Sequence, residues 1–88
     1  MKRVIRLGDP TNHGGKVVSA ASNAHIEGLP VARLGDTVIC PKKGHGTTTI
    51  VEGDPDWLLE GIPVALEGHK TSCGATLIST LPKLGRGA

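Results

Sequence analysis

The chain has 88 residues, which allows one small domain with a modest core. Its apolar share is 38%, with one Trp and no Phe or Tyr, and its formal net charge is +2. The charges are scattered, and no segment has the apolar length of a signal peptide or a membrane span. We therefore expect a single domain over residues 1–88 with no extension, made in the cytoplasm, with neither nucleic acid as a partner nor stable insertion into a membrane.

Short runs rich in β-branched residues, bounded by Gly, Pro or Asp, predict strands joined by turns. In chain order they cover residues 4–7, 16–19, 37–39, 47–51 and 76–79. Thirteen glycines and six prolines leave a single window of more than ten residues without either, at 16–27. Long helices are thereby excluded, and the predicted class is all-β.

Three stretches repeat one pattern, in which a Gly-Asp or Gly-His step leads to a turn with His or Cys and then to an apolar run. The copies cover residues 8–19, 35–51 and 68–79, and residues 27–36 also match residues 60–69 at an offset of 33. Each copy alone has too little apolar surface to hold together. We therefore predict that the three copies close around a common pseudo-threefold axis, share one core and bring their turns together.

The repeated turns carry side chains that bind metals. Counted from the downstream apolar run, His13, His45 and Cys73 occupy equivalent places, and each is followed by glycine. Glycine allows positive φ and close backbone approach where three turns crowd one point. These three side chains are candidate ligands, and a closed structural zinc site needs a fourth.

Two residues are candidates for the fourth ligand. His69 stands where the other copies have Asp9 and Asp36, and we favour it because this exchange in a single copy suggests a new role. Cys40 is the alternative, because it lies five residues after its upstream glycine, as His13 and Cys73 do after theirs. Without a secretory signal, both cysteines are expected to be reduced.

Four further side chains are given structural interpretations. Asp9 and Asp36 are expected to accept backbone hydrogen bonds in their turns. His25 lies outside the repeated turns, has no glycine neighbour and is interpreted as a bystander. Trp57 either anchors a partner or covers the thin core, and the second role is favoured.

The combination of these motifs closely resembles the PAAR-repeat family, named for a Pro-Ala-Ala-Arg element. The trace of that element is Pro-Val-Ala-Arg at 30–33 and, more weakly, Pro-Val-Ala-Leu at 63–66. The resemblance implies a small pointed cone of short strands, with zinc near the tip held by three histidines and one cysteine. That count agrees with His13, His45, His69 and Cys73 as the ligands, and Cys40 is then not part of the ligand set.

Proteins of this family cap the spike of the bacterial type VI secretion system. The resemblance thus implies a structural protein with one zinc per chain, in which one chain caps one VgrG trimer, sharpens the spike for membrane piercing and leaves the cell at its tip. Effectors or adaptors are possible further partners.

Two other functions compete with this interpretation. One is a thiol hydrolase with Cys73 as nucleophile and His69 or His45 as its base, although so short a chain leaves little room for a cleft. The other is a zinc module that binds nucleic acid, although the paired Cys-x-x-Cys knuckles typical of such modules do not occur in the sequence.

Overall fold

The computed structural model describes residues 3–22, 24–41 and 46–80, and within them it shows short strands and no helix. The strands are β1 (Lys16–Val17), β2 (His25–Ile26), β3 (Leu29–Pro30), β4 (Thr37–Cys40), β5 (Gly46–Thr49), β6 (Asp54–Leu59) and β7 (Ile62–Val64). The predicted all-β class is confirmed. No helix suited to spanning a membrane occurs in these residues.

The strands form one three-stranded sheet and two separate hairpins. The sheet has the order β1-β4-β5 with antiparallel pairing, and β2–β3 and β6–β7 are the hairpins. In the β4–β5 pair Thr37 lies opposite Thr49, and Cys40 lies opposite Gly46. The sheet therefore fixes the position of Cys40, the last residue of β4.

The phrase repeated at an offset of 33 forms the turns of the two hairpins. Glu27 and Glu60 have φ of 54° and 55°, and the glycines after them, Gly28 and Gly61, have φ of 86° and 80°. Positive φ at both central residues is the turn geometry that suits the right-handed twist of two paired strands. The Glu-Gly steps thus form equivalent turns in the two connections between the three repeats.

A closed ring of backbone hydrogen bonds relates the three repeats, each taken from here on with the three residues before it, as residues 5–19, 32–51 and 65–79. The Ala32 N–H donates to the Ile5 carbonyl (2.9 Å), the Ala65 N–H to the Ala32 carbonyl (3.0 Å), and the Ile5 N–H to the Ala65 carbonyl (3.0 Å). Each repeat gives one bond to one neighbour and receives one from the other. This is the pattern that threefold symmetry requires, and the predicted pseudo-threefold arrangement is confirmed.

A second ring joins the same repeats nearer their turns, again with one bond from each repeat to the next. Its members are Val18 N–H to Thr37 carbonyl (2.9 Å), Val51 N–H to Lys70 carbonyl (3.0 Å) and Ile78 N–H to Pro10 carbonyl (2.9 Å). The third repeat therefore closes back onto the first and completes the ring.

The core is aliphatic and lies along the axis of the rings. Its main cluster consists of two or three small or branched residues from each repeat: Ile5, Val17, Ala32, Val38, Ile50, Ala65 and Leu77. Trp57 lies on β6 with 39% of its surface exposed and belongs to neither core cluster. The expectation that Trp57 covers the core is wrong, because equivalent aliphatic side chains fill the axis without it.

Two of the predicted strands appear only as isolated bridges. Val4 bridges Leu66, and Thr11 and Leu77 bridge each other across the third and first repeats. Arg6 also bridges Val31, and Thr76 bridges Lys70, so each segment pairs with two different neighbours for one residue each. A run of β-branched residues indicates extended backbone here, but it does not determine how far a ladder continues.

Candidate metal centre

Three side chains from three different repeats converge on one point. They are His13, Cys40 and Cys73, whose ligand atoms all lie within 4.8 Å of one another. The Cys40 Sγ is 3.8 Å from the His13 Nδ1 and 3.1 Å from the Cys73 Sγ. Neither cysteine is in a disulfide. One imidazole and two thiols are a donor set that can hold a metal ion.

The turn that carries His13 is built by a buried hydroxyl. The Thr11 Oγ1 accepts hydrogen bonds from the backbone N–H of His13 (3.2 Å) and of Gly15 (3.1 Å). Gly14 follows with φ of 87°, as predicted for a glycine after a candidate ligand. A Cβ on Gly15 would lie 1.8 Å from the Ile39 carbonyl oxygen. The absence of a side chain at Gly15 therefore lets this turn lie directly against β4.

The turn that carries Cys73 repeats this construction. The Thr71 Oγ1 accepts from the Ala75 N–H (3.2 Å) and contacts the Cys73 Sγ at 3.2 Å. Gly74 has φ of 88°, and the Cys73 N–H donates to the Thr48 Oγ1 on β5 (3.1 Å). An equivalent threonine, Thr11 or Thr71, thus lies two residues before each of these candidate ligands and helps to position His13 and Cys73.

The environment of Cys73 favours its thiolate. Burial by itself raises the pKa of this thiol, but hydrogen bonds from the Thr71 hydroxyl, the Cys40 thiol, the Ala75 N–H and His13 outweigh it and lower the pKa to about 5. A thiolate is the form of cysteine that binds metal. The protein thus supplies the anionic ligand that a divalent cation would need.

His69 is not part of this cluster. Its Nδ1 accepts the Leu66 N–H at 2.9 Å, just as the Asp9 carboxylate accepts the Arg6 N–H at 2.8 Å. Asp36, which occupies the same position in the second repeat, accepts the Arg33 N–H at 2.6 Å. The expected turn-forming role of the two aspartates is confirmed, and His69 performs the same function with an imidazole nitrogen.

The structure therefore groups Cys40, and not His69, with His13 and Cys73. The sequence signal for Cys40 was the number of residues between it and the upstream glycine, which is the same as for His13 and Cys73. Predicted ligand His45 lies outside the described residues. His25 is exposed on β2 and does not belong to the cluster.

The fold and the cluster define a class: a small all-β protein of three pseudo-equivalent repeats whose turns meet at a site able to hold a metal. The PAAR motif family model matches residues 7–79. The chain belongs to the PAAR motif family, whose members are structural spike-tip proteins of type VI secretion. No curated protein matches the chain in a sequence comparison.

Proposed function

We propose that this chain is a zinc-stabilised tip that caps and sharpens a VgrG spike trimer and so aids membrane piercing and effector delivery. The observation that carries the proposal is the convergence of His13, Cys40 and Cys73 from three repeats that are linked in closed hydrogen-bond rings. Family membership supports the spike-tip role, and the donor set supports the metal.

The distances in the cluster are compatible with zinc. Tetrahedral zinc with bonds of about 2.3 Å to sulfur and about 2.0 Å to nitrogen separates a sulfur and a nitrogen ligand by about 3.5 Å and two sulfurs by about 3.8 Å. The Cys40–His13 contact of 3.8 Å and the Cys40–Cys73 contact of 3.1 Å deviate from these by less than an ångström. Small side-chain rotations would accommodate the ion.

His45 is our proposed fourth ligand. It stands immediately before Gly46, and Gly46 pairs with Cys40 across the β4–β5 ladder. Sequence position also supports it, since His45 is equivalent to His13 and Cys73 when counted from the downstream run. His69 is the weaker candidate, because its Nδ1 already accepts a backbone N–H.

Zinc content of the purified protein tests this ligand set. We expect about one zinc per chain, lost in Cys40→Ala, Cys73→Ala and His45→Ala and kept in His69→Ala. His25→Ala is the matched control, since it removes an exposed imidazole outside the cluster. Zinc kept by Cys40→Ala but lost from His69→Ala would restore His69 as a ligand, and no zinc in the unmodified protein would overturn the metal site.

The physical role of zinc is to hold three turns together. Structural zinc contributes on the order of 10 kcal/mol to folding, which is comparable with the whole stability of a small domain. His13, Cys40 and Cys73 come from different repeats, so the metal would cross-link all of them at one end. Such a tip resists separation of its repeats under an applied load.

The symmetry of the chain supports its proposed partner. A single polypeptide with three equivalent repeats presents nearly the same surface three times, and so it suits the end of a trimer better than any asymmetric monomer would. We expect one chain to bind one VgrG trimer. Native mass spectrometry of the mixture measures this ratio, and a stable homotrimer of this chain that failed to bind VgrG would contradict the capping role even if zinc were present.

A further inference from the structure

We infer that Cys40 and Cys73 are a dithiol pair that closes to an intramolecular disulfide when the protein meets a small-molecule disulfide. The observation that carries this inference is the 3.1 Å contact between their sulfur atoms. The inference does not depend on zinc, because the two thiols are adjacent through the fold itself.

Strand pairing positions Cys40, and a backbone-to-side-chain hydrogen bond positions Cys73. Cys40 ends β4, where it is paired with Gly46, and the Cys73 N–H is bonded to the Thr48 Oγ1 on the adjacent strand β5. The two residues are 33 positions apart in sequence. A flexible loop of that length would bring its ends together only rarely, so the fold supplies the proximity.

The two thiols differ in accessibility, and this difference orders the reaction. Cys73 is partly exposed, whereas Cys40 is 2% exposed. An external disulfide therefore meets Cys73 first. Cys40 is then the resolving thiol, because it touches the Cys73 sulfur from the inside.

The chemistry balances with oxidised glutathione as the oxidant. The Cys73 thiolate attacks one glutathione sulfur, which forms a mixed disulfide and releases one glutathione thiolate. The Cys40 thiolate then attacks the Cys73 Sγ, which forms the Cys40–Cys73 bond and releases the second glutathione thiolate. The two protons of the cysteine thiols pass to the two glutathione thiolates. The protein loses two electrons, and glutathione disulfide gains them.

The product would link the second repeat to the third at the site where the metal would otherwise bind. Both sulfurs are consumed, so the disulfide and a thiolate-bound metal exclude each other. Oxidation would thus replace one cross-link of the turns by another, and the first repeat with His13 would no longer be tied to them by the metal.

The test treats the 88-residue chain with a chelator and then with a graded ratio of oxidised to reduced glutathione. Mass spectrometry separates the intramolecular disulfide from glutathione adducts. We expect a mass loss of two hydrogen atoms with no retained glutathione. The effective concentration of the thiol pair should be at least about ten-fold higher than in the same protein in urea.

Cys40→Ser is the informative variant, because it should stop at the mixed disulfide on Cys73. Cys73→Ser should acquire glutathione more slowly, since the remaining thiol is buried. The inference would be overturned if the effective concentration equalled that in urea. It would also be overturned if the protein without substitutions accumulated the mixed disulfide.

A parallel sample with added zinc keeps the two proposals apart. Disulfide formation in the chelated protein supports the dithiol pair whether or not zinc slows the reaction. Slower disulfide formation in the presence of zinc supports the metal site alone. A protein that binds zinc yet forms no disulfide after chelation would refute only the dithiol pair.

Discussion

At the scale of single residues, equivalent positions hold different chemistry for the same structural purpose. Asp9, Asp36 and His69 each accept the N–H of the residue three positions earlier. A neutral imidazole can do this only with its proton on Nε2, which leaves Nδ1 as acceptor. The exchange of aspartate for histidine in the third repeat therefore preserves a turn, and we do not assign His69 to the metal cluster.

The buried threonine hydroxyls are the residue-scale determinants of the site. Thr71→Val keeps the shape of the side chain but removes the hydroxyl that accepts the Ala75 N–H and that contacts the Cys73 Sγ. We expect a loss of roughly 1–3 kcal/mol in the free energy of unfolding, measured by urea denaturation of the metal-free protein.

Thr47→Val on β5 is the control for this substitution, because Thr47 is an exposed strand residue. Its effect should stay within about 0.5 kcal/mol, as is usual for surface sites. Equal losses in the two variants would show that the Thr71 hydroxyl does not support the turn.

At the scale of elements, the two hairpins share a turn that is unfavourable for its first residue. Glu27 has φ of 54°, a left-handed conformation that costs an ordinary L-residue roughly 1–2 kcal/mol. Asparagine tolerates this conformation better, and Asn-Gly is the preferred pair for such turns. Glu27→Asn should therefore raise the melting temperature while leaving zinc content unchanged, as calorimetry and metal analysis would show.

The equivalent substitution in the other hairpin provides the comparison. Glu60 also has positive φ but forms an ion pair with Arg33 at 3.2 Å. Glu60→Asn gains the same backbone relief and loses that contact, so its stabilisation should be smaller than that of Glu27→Asn. A larger stabilisation by Glu60→Asn would mean that positive φ is not what lowers the stability of these turns.

At the scale of the whole molecule, stability depends on closure of the three repeats. The third repeat returns the Ile78 N–H to the Pro10 carbonyl and offers the Ala65 carbonyl to the Ile5 N–H. Without it, both rings are open and the core loses Leu77, a fully buried side chain.

A chain shortened to end at residue 63 tests this closure. It keeps two repeats and the three-stranded sheet with Cys40 but lacks Cys73, and we expect it to be unfolded. The reason is that a repeat pair of this size cannot bury enough apolar surface to offset chain entropy. Poor dispersion of amide signals in an NMR spectrum is the expected result, whereas a dispersed spectrum would show that two repeats fold independently.

The sequence by itself determined the class and the symmetry of this protein. Its glycines and prolines excluded long helices, and the match of residues 27–36 with residues 60–69 set the repeat. The glycines after His13 and Cys73 correctly indicated positive φ at the metal-capable turns. These features depend on short-range backbone sterics and on spacing, which a linear pattern records directly.

Only the tertiary structure decided which side chains meet. Counting from the downstream run favoured His45 in the second repeat, whereas counting from the upstream glycine favoured Cys40, because extra residues separate the two positions. Pairing of Cys40 with Gly46 and close packing of Gly15 on β4 bring the Cys40 sulfur to His13 and Cys73. Likewise, the hydrogen bond that occupies the His69 Nδ1 arises from the fold of its turn. Ligand grouping depends on strand register and on backbone approach between repeats, and residue spacing does not encode either of them uniquely.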